Sequence, residues 1–326
     1  MEVIAFIVFI IVQIVFIPLA LIGLILVSIK QLLVSRKLGV SSTAISFIGG
    51  RWLMHVFGIR RDPATAELYR ALPNGSVVGL WLLFFPSYLR YKISGKQTGY
   101  VSVKEEGKEG LGDVAITRTI HVDKFINKSK DKVEQFVVMG AGYDARCYGE
   151  LKNLKCFELD QSNTQKLKLE CLKRADIDAS HVTFVEVDFS TDKWYEKLKQ
   201  SGYDTRKKSI FLWEGVTLYL TEHDVRKTLN EIKEHAAPGS ILVVDFYAQR
   251  LVSLEGVKAT NEHFNFALNF SANKENVLKA FIESENLTLG DFTFMGHKTK
   301  KGAFGVVAEV WTSVKLVDTK FNDLPY

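Results

Sequence analysis

The chain has 326 residues, which is enough to bury one large hydrophobic core with room for a smaller added element. Its net charge is +5, but its lysines lie in runs mixed with Asp and Glu, such as residues 124–132 and 193–208. Such mixed runs are typical of solvated helix faces rather than of a nucleic-acid-binding stripe, so we expect no nucleic-acid partner. The three cysteines form no CxxC pattern and the seven histidines show no metal-binding spacing. We therefore expect reduced thiols in a cytosol-facing protein and no metal site.

The first thirty residues predict a membrane anchor. Val3 to Ile29 contains 21 Val, Ile, Leu or Phe among its 27 residues, and no charge. A helix rises about 1.5 Å per residue, so this segment can cross a hydrocarbon core of about 30 Å. A signal peptide would carry a positive n-region and a shorter apolar stretch, whereas this one follows Glu2. Because Lys30, Arg36 and Lys37 come next, the positive-inside rule predicts a single-pass membrane protein whose remaining chain faces the cytosol.

Residues 31–113 are predicted to form a helical cap and a connection. Asp62 and Pro63 indicate the start of a helix, with Asp62 as its N-cap. A second apolar stretch, Val77 to Leu89, is interrupted by Pro86 and is too short to span a membrane. It is either a buried cap helix or an interfacial segment with its aromatic residues at headgroup depth.

Residues 136–160 organise the rest of the chain. The apolar run Phe136 to Met139 predicts a strand that is buried on both faces, which the Gly-Ala-Gly segment 140–142 interrupts. We expect a helix from there to about Glu150, then a second strand that ends on acidic residues. Glycines let backbone N–H groups approach a ligand, and a carboxylate about twenty residues later can accept ribose hydroxyls. The two interpretations are a site for a nucleotide-type cofactor and a plain structural turn.

After this unit, helices and strands continue to alternate. Further helices are predicted at 163–175, 194–199, 222–234 and 274–284, and further strands at 182–187, 209–213, 241–246, 287–294 and 304–311. The last two strands are separated only by a loop at 296–302, which indicates a hairpin. The pattern therefore predicts an α/β fold with a mostly parallel sheet and an antiparallel edge.

Four motifs follow one another along this region. They are VMGAGYDAR at 138–146, FELDQ at 157–161, VDF at 187–189 and WEGVTLYL at 213–220. Together they resemble the leucine carboxyl methyltransferase family of class I S-adenosylmethionine-dependent methyltransferases, over about residues 41–312. The resemblance implies a Rossmann-like class I methyltransferase fold with a seven-stranded sheet and a helical N-terminal cap. The expected domains are the transmembrane anchor (1–30), the cap and connection (31–113) and the S-adenosylmethionine-binding domain (114–326).

The resemblance implies a set of contacts to the amino-acid end of the cofactor S-adenosylmethionine. Gly140 and Gly142 would let the backbone approach it. Arg118 would pair with the cofactor carboxylate, for which guanidinium offers bidentate geometry. Glu214 would lie near its amino group, and Arg51 would add a basic contact. Without the resemblance, Glu214 could simply cap a helix and Arg118 could be a surface residue.

A second set of contacts is implied for the nucleoside end. Asp160, or Glu158 beside it, would hold the ribose diol. Asp188 and Phe189 would bracket the adenine, with the carboxylate accepting the exocyclic amine. Asp188 could otherwise cap a helix, and Phe189 could be a simple core residue. Trp213 departs from the smaller residue expected before the Glu-Gly pair, which leaves the pocket shape open at that point.

These expectations define a membrane-anchored methyltransferase. A carboxylate acceptor is ionised at pH 7 and needs no general base, whereas a hydroxyl acceptor needs one, and no His–Asp pair stands out. O-methylation of a carboxylate is therefore favoured, on a small molecule, a lipid or a protein, and the anchor favours a lipophilic or membrane-associated acceptor. The alternatives are an NAD(P)-dependent oxidoreductase and a catalytically inactive methyltransferase fold that serves as a membrane scaffold.

Overall fold

The computed structural model describes residues 1–97, 99, 101–253, 263–270, 274–296 and 303–312. Most of the loop predicted at 296–302 lies outside the described residues. Among the described residues, one continuous helical segment, Glu2–Leu38, is long and apolar enough to cross a membrane.

The N-terminal part of the chain is helical. Its elements are α1 (Glu2–Ile29), a π-helical turn (Lys30–Val34), α2 (Ser35–Leu38), α3 (Ser42–Val56), α4 (Pro63–Ala71), α5 (Val77–Ser94) and α6 (Val114–Ser129). Helix α4 begins as predicted, because Asp62 accepts a hydrogen bond from the Thr65 backbone N–H at 3.0 Å. Helix α6 was not among the predicted helices.

Helix α5 packs antiparallel along most of the length of α1. The rings of Phe16 and Phe85 stack at 5.1 Å midway along the pair, and Lys96 forms an ion pair with Glu2 at 2.9 Å beyond the end of α5. The other side of α5 packs on α3, where Trp81 contacts a tryptophan edge-on at 5.6 Å. The stretch that includes Val77 to Leu89 is thus a helix of the cap that lies between α1 and α3.

The C-terminal part forms a sheet of seven strands within the described residues, in the order β3-β2-β1-β4-β5-β7-β6. The strands are β1 (Gln135–Met139), β2 (Lys155–Asp160), β3 (Val182–Glu186), β4 (Ser209–Trp213), β5 (Ile241–Tyr247), β6 (Thr288–Met295) and β7 (Gly305–Trp311). The helices between them are α7 (Ser162–Arg174), α8 (Trp194–Gln200), α9 (Glu222–His235), α10 (Gln249–Val252) and α11 (Lys274–Ser284).

The strand directions confirm the predicted Rossmann-like sheet. Strands β1 to β5 pair in parallel, whereas β7 runs antiparallel to both of its neighbours, β5 and β6. The antiparallel pairing is therefore at one edge, with β6 outermost. The strand order reverses at β1, which lies between β2 and β4, and in such sheets ligands bind beyond the carboxyl ends of the strands at this point.

The connection after β1 differs from the prediction. In place of a helix to Glu150, only a single 3₁₀ turn, Arg146–Tyr148, follows the glycines. The Asp144 side chain accepts a hydrogen bond from the Arg146 backbone N–H at 2.8 Å, and a local turn of this kind competes with helix formation. Gly149, a poor helix former, ends the turn.

Candidate functional site

A cavity of about 770 Å³ opens where the carboxyl ends of the central strands face the cap. Its volume lies within the range of roughly 300–1,000 Å³ typical of small-molecule sites. Eight of the nine residues predicted as cofactor contacts line it: Arg51, Arg118, Gly140, Gly142, Asp160, Asp188, Phe189 and Glu214. The structure thus brings together residues from α3, α6 and the ends of four strands.

The glycine turn after β1 forms the floor of the cavity. Gly140 and Gly142 have φ angles of +69° and +48°, a region that favours glycine. A side chain at position 140 would collide with that of Val216. The backbone N–H groups of Gly140 and Ala141 both donate to the Leu159 carbonyl, at 2.8 and 2.9 Å. The turn is therefore held against the end of β2, with its backbone open to the cavity.

Asp160 and Glu158 occupy different environments, although both lie on β2. Asp160 lines the cavity and accepts hydrogen bonds from the backbone N–H groups of Gly142 and Gln161, and its burial raises the pKa of its carboxyl group. Glu158 lies outside the cavity, where its carboxylate pairs with Lys168 at 2.6 Å and both side chains are 2 % exposed. Because Glu158 is turned into the core, we remove it from the set of proposed contacts.

Asp188 and Phe189 lie together at the cavity wall after β3. The Asp188 carboxylate accepts from the Ser190 backbone N–H at 2.9 Å and from the Gln161 amide at 3.2 Å. The Phe189 ring lies between the cavity and the core, with its centroid 6.4 Å from that of Trp213. The large Trp213 is thus accommodated beneath Phe189 as a fully buried core residue rather than within the cavity.

Glu214 is the centre of a buried charge network. Its carboxylate accepts hydrogen bonds from Arg51 at 2.7 Å, from Arg118 at 2.9 Å and from Arg146 at 2.7 Å. Burial alone would raise the pKa of this carboxyl group, but the three guanidinium groups hold it well below its usual value. Glu214 is therefore ionised and fixed in orientation.

Two further carboxylates extend this network. Asp144 pairs with Arg51 at 2.9 Å and with Arg146; although burial opposes it, these arginines lower the pKa of Asp144 to about 2. Asp245 accepts from Arg118 at 3.3 Å, and burial raises the pKa of Asp245 to about 6. The Arg118 guanidinium also stacks over the ring of a phenylalanine from α3, at 3.6 Å from the centroid.

Sequence reasoning assigned no role to several of these groups. Asp144 and Arg146 stand inside the first motif, so the motif itself was the available signal. Asp245, in the otherwise apolar strand β5, could have been singled out as a charged residue in a buried run. The cavity is also lined by Leu32, Leu33 and Arg36 from the helical segment that follows α1, and no sequence signal connects these with the glycine turn.

The reversal of strand order at β1, the glycine turn and the carboxylates that follow the next strands define a Rossmann-like class I methyltransferase fold. Residues 92–233 match the model of the leucine carboxyl methyltransferase family. This part of the chain is therefore similar to the family that the four motifs indicated.

Similar proteins agree with this assignment. A Bacillus subtilis protein named "Putative S-adenosyl-L-methionine-dependent methyltransferase YktD" is 34 % identical over 158 residues, which is 47 % of this chain and 52 % of the relative. A Mycobacteroides abscessus protein with the same name apart from the gene symbol is 30 % identical over 213 residues, 63 % of this chain and 65 % of the relative. The chain thus spans between about half and two thirds of the length of these curated relatives.

Among solved structures, magnesium protoporphyrin IX methyltransferase (ChlM) from Synechocystis with bound SAH is 10 % identical, with a TM-score of 0.42. The likeness covers 64 % of this chain and 90 % of that one. The fold assignment rests instead on the strand order of the chain itself.

Proposed function

We propose that the protein is an S-adenosylmethionine-dependent methyltransferase that acts at a membrane, most readily on a carboxylate. The observation that carries this proposal is that eight residues, assigned to this cofactor by the family resemblance, line one cavity. The family domain and the names of the relatives support the same activity.

The residues present fit this cofactor. Gly140 and Gly142 leave backbone exposed where the amino-acid part would lie, and Asp160 offers carboxylate oxygens to the ribose diol. Asp188 and Phe189 supply an acceptor and a ring face for the adenine. In our proposal, Arg118 turns part of its guanidinium from Glu214 to the cofactor carboxylate, and Glu214 then faces the cofactor amino group.

The arrangement disfavours a dinucleotide. A pyrophosphate is commonly bound at the N-terminus of the helix that follows the glycine turn, where unpaired N–H groups and the helix dipole favour an anion. Here the glycine turn is followed by the 3₁₀ turn Arg146–Tyr148 and not by a helix.

The chemistry asks little of the protein beyond alignment and exclusion of water. When bound, the cofactor supplies the methyl group: the acceptor oxygen forms the new bond to carbon, and the sulfur keeps the electron pair of the broken bond. Among the described residues, no histidine lines the cavity, and Glu214 is held ionised by arginines, which makes it a weak base. A carboxylate acceptor needs no base, so O-methylation of a carboxylate fits better than that of a hydroxyl.

Helix α1 supports membrane attachment. Apart from the side that faces α5, nearly all of its side chains are apolar and exposed. We propose that the exposed apolar side of α1 inserts into the bilayer, with Lys30, Arg36 and Lys37 at its cytosolic surface. A complete crossing would require α5 to separate from α1, because Lys96, just after α5, pairs with Glu2. To test this, glycosylation acceptors can be placed before Glu2 and near Gly107. Modification of neither site is expected while α1 and α5 stay packed together on the cytosolic side. Modification of the first site alone would show that α1 crosses the bilayer and separates from α5, and modification of the second site would place the rest of the chain outside the cytosol.

The activity can be tested with cofactor that carries a labelled methyl group. The full-length protein should transfer the label into a membrane extract, and Asp160→Ala should transfer it more slowly at low cofactor concentration. Cofactor binding without transfer to any membrane or soluble fraction would favour the inactive scaffold. A fragment without residues 1–40 is an unsuitable control, because residues 32–40 contribute to the cavity wall.

A further inference from the structure

The end of the anchor helix forms part of the cavity itself. Leu32, Leu33 and Arg36 line the same cavity as the glycine turn and the carboxylates after the strands. Leu32 and Leu33 are 42 % and 60 % exposed, so each faces both the cavity and the surroundings. The segment that leaves the membrane in our proposed topology is therefore also the segment at which the cavity opens.

The local helix geometry accounts for this placement. Leu32 and Leu33 lie in the π-helical turn Lys30–Val34, and such turns occur frequently at functional sites. Arg36 follows in α2, four residues after Leu32, and side chains with this spacing lie on the same helix face. The cavity opening thus carries an apolar edge followed at once by a positive charge.

Arg36 differs from the other arginines of the cavity. Arg51 pairs with Asp144 and Glu214, and Arg118 pairs with Glu214 and Asp245. In the described part of the chain, no carboxylate pairs with Arg36, whose side chain is exposed. Arg36 is thus the cation at this cavity that remains available to an incoming anion.

We propose that this opening admits the methyl acceptor directly from the bilayer, and that the acceptor is a single-chain amphiphile with a carboxylate head group. Its chain lies across Leu32 and Leu33 while Arg36 attracts its carboxylate from the headgroup layer into the cavity. The anchor is then a wall of the acceptor site as well as an attachment.

This inference rests on the proposed methyltransferase activity. The transfer joins a carboxylate oxygen to the methyl carbon and leaves the bond electrons on sulfur, so that an anion and a sulfonium give a neutral ester and a thioether. No proton has to be moved, and no oxidant or further reactant is needed.

The test uses the full-length protein in phosphatidylcholine vesicles that contain a long-chain fatty acid, with a short-chain carboxylate such as butyrate as the comparison. Wild-type protein should form methyl ester from the long-chain acid, and little from the short one at the same concentration. Arg36→Gln should raise the KM for the long-chain acid by about tenfold, as expected for loss of a hydrogen bond to a charged group, with little change in kcat.

Lys37→Gln is the matched control, because Lys37 is a neighbouring exposed cation that does not line the cavity. It should leave the KM unchanged. In addition, a fatty acid with a photoreactive group in its chain should label residues 30–38 of the wild-type protein, a readout that does not depend on turnover. Equal effects of the two substitutions, or labelling only elsewhere on the chain, would overturn the inference.

Binding of S-adenosylhomocysteine, measured in parallel, separates the two levels of the proposal. If the wild-type protein binds it but forms no ester from the long-chain acid, the acceptor inference is wrong and the proposed activity stands. If the wild-type protein does not bind it, the proposed activity itself fails.

Discussion

The two walls of the cavity differ in how their side chains are held. On the sheet wall, Glu214 is fixed by three arginines and its side chain is only 4 % exposed. On the wall formed by the segment that follows α1, which we call the anchor wall after the proposed role of α1, Leu33 is 60 % exposed and Arg36 is exposed as well. The sheet wall is thus organised before any ligand binds, as electrostatic stabilisation requires. The anchor wall depends on what surrounds it, which in our proposal is a bilayer.

The strongest test of the organised wall is Glu214→Gln. Loss of this carboxylate leaves three buried guanidinium groups without their shared partner, and breaking a buried ion pair costs about 3–5 kcal/mol. The free energy of unfolding of the protein in detergent should fall by that amount. Asp188→Asn is the control: its half-buried carboxylate has only neutral hydrogen-bond partners, so the loss should be much smaller. Similar losses for both variants would contradict the network.

The pH dependence of stability is a second test of the sheet wall, because Asp245 belongs to its charge network. Burial raises the pKa of Asp245 from 3.8 to about 6 in the folded protein. The folded state therefore holds this proton more tightly, and the resulting stability is complete below pH 3.8 and is lost as the pH rises through 6. The loss is on the order of 3 kcal/mol.

The comparison that isolates this contribution is between the wild-type protein and Asp245→Asn. Between pH 4 and pH 7 the wild-type protein should lose free energy of unfolding relative to the variant. Parallel curves over this range would show that Asp245 does not titrate as proposed.

Asp160 tests the cofactor contacts of the organised wall. Asp160→Ala should weaken binding of S-adenosylmethionine by roughly 1.5–3 kcal/mol, the usual loss for hydrogen bonds to a charged group. Glu158→Gln should show the opposite pattern: Lys168 loses its buried partner, so stability falls while cofactor affinity stays unchanged. Calorimetric titration and thermal unfolding of both variants measure the two effects. Unchanged affinity in Asp160→Ala would show that Asp160 does not bind the ribose hydroxyls of the cofactor.

The glycine turn can be tested against a matched control. Gly140 and Gly95 have φ angles of +69° and +71°, so alanine at either position costs about 1–2 kcal/mol of backbone strain. At Gly140 the added methyl group also meets Val216, whereas at Gly95 no atom lies within 4 Å. Gly140→Ala should therefore destabilise the protein more than Gly95→Ala and should also weaken cofactor binding. Equal stability of the two variants would contradict the packing of the turn.

The sheet and the organised wall were largely predictable because their signals are local. Each strand is a short apolar run, and the motif residues lie at the strand ends, where a parallel sheet brings them to one edge. The helix expected after Gly142 was wrong because side-chain bonding by Asp144 holds a turn there instead. Glu158 could not be separated from Asp160 by sequence, since the choice depends on Lys168, which comes from the following helix.

The anchor wall was not predictable. Leu32 and Leu33 look like the end of any membrane helix, and Arg36 looks like any flanking basic residue. Their position at the cavity follows from the packing of α1 on α5, and of α5 on the cap, which are contacts between segments far apart in the chain. Sequence periodicity carries no information about such contacts.

The central claim is that the cavity at the strand ends binds S-adenosylmethionine. The most direct measurement is calorimetric titration of the full-length protein in detergent micelles with S-adenosylmethionine, S-adenosylhomocysteine and NADH. We expect the first two to bind with comparable affinity at one site per chain and NADH to give no saturable signal. Saturable binding of NADH, without binding of either of the other two, would contradict the assignment of the cavity.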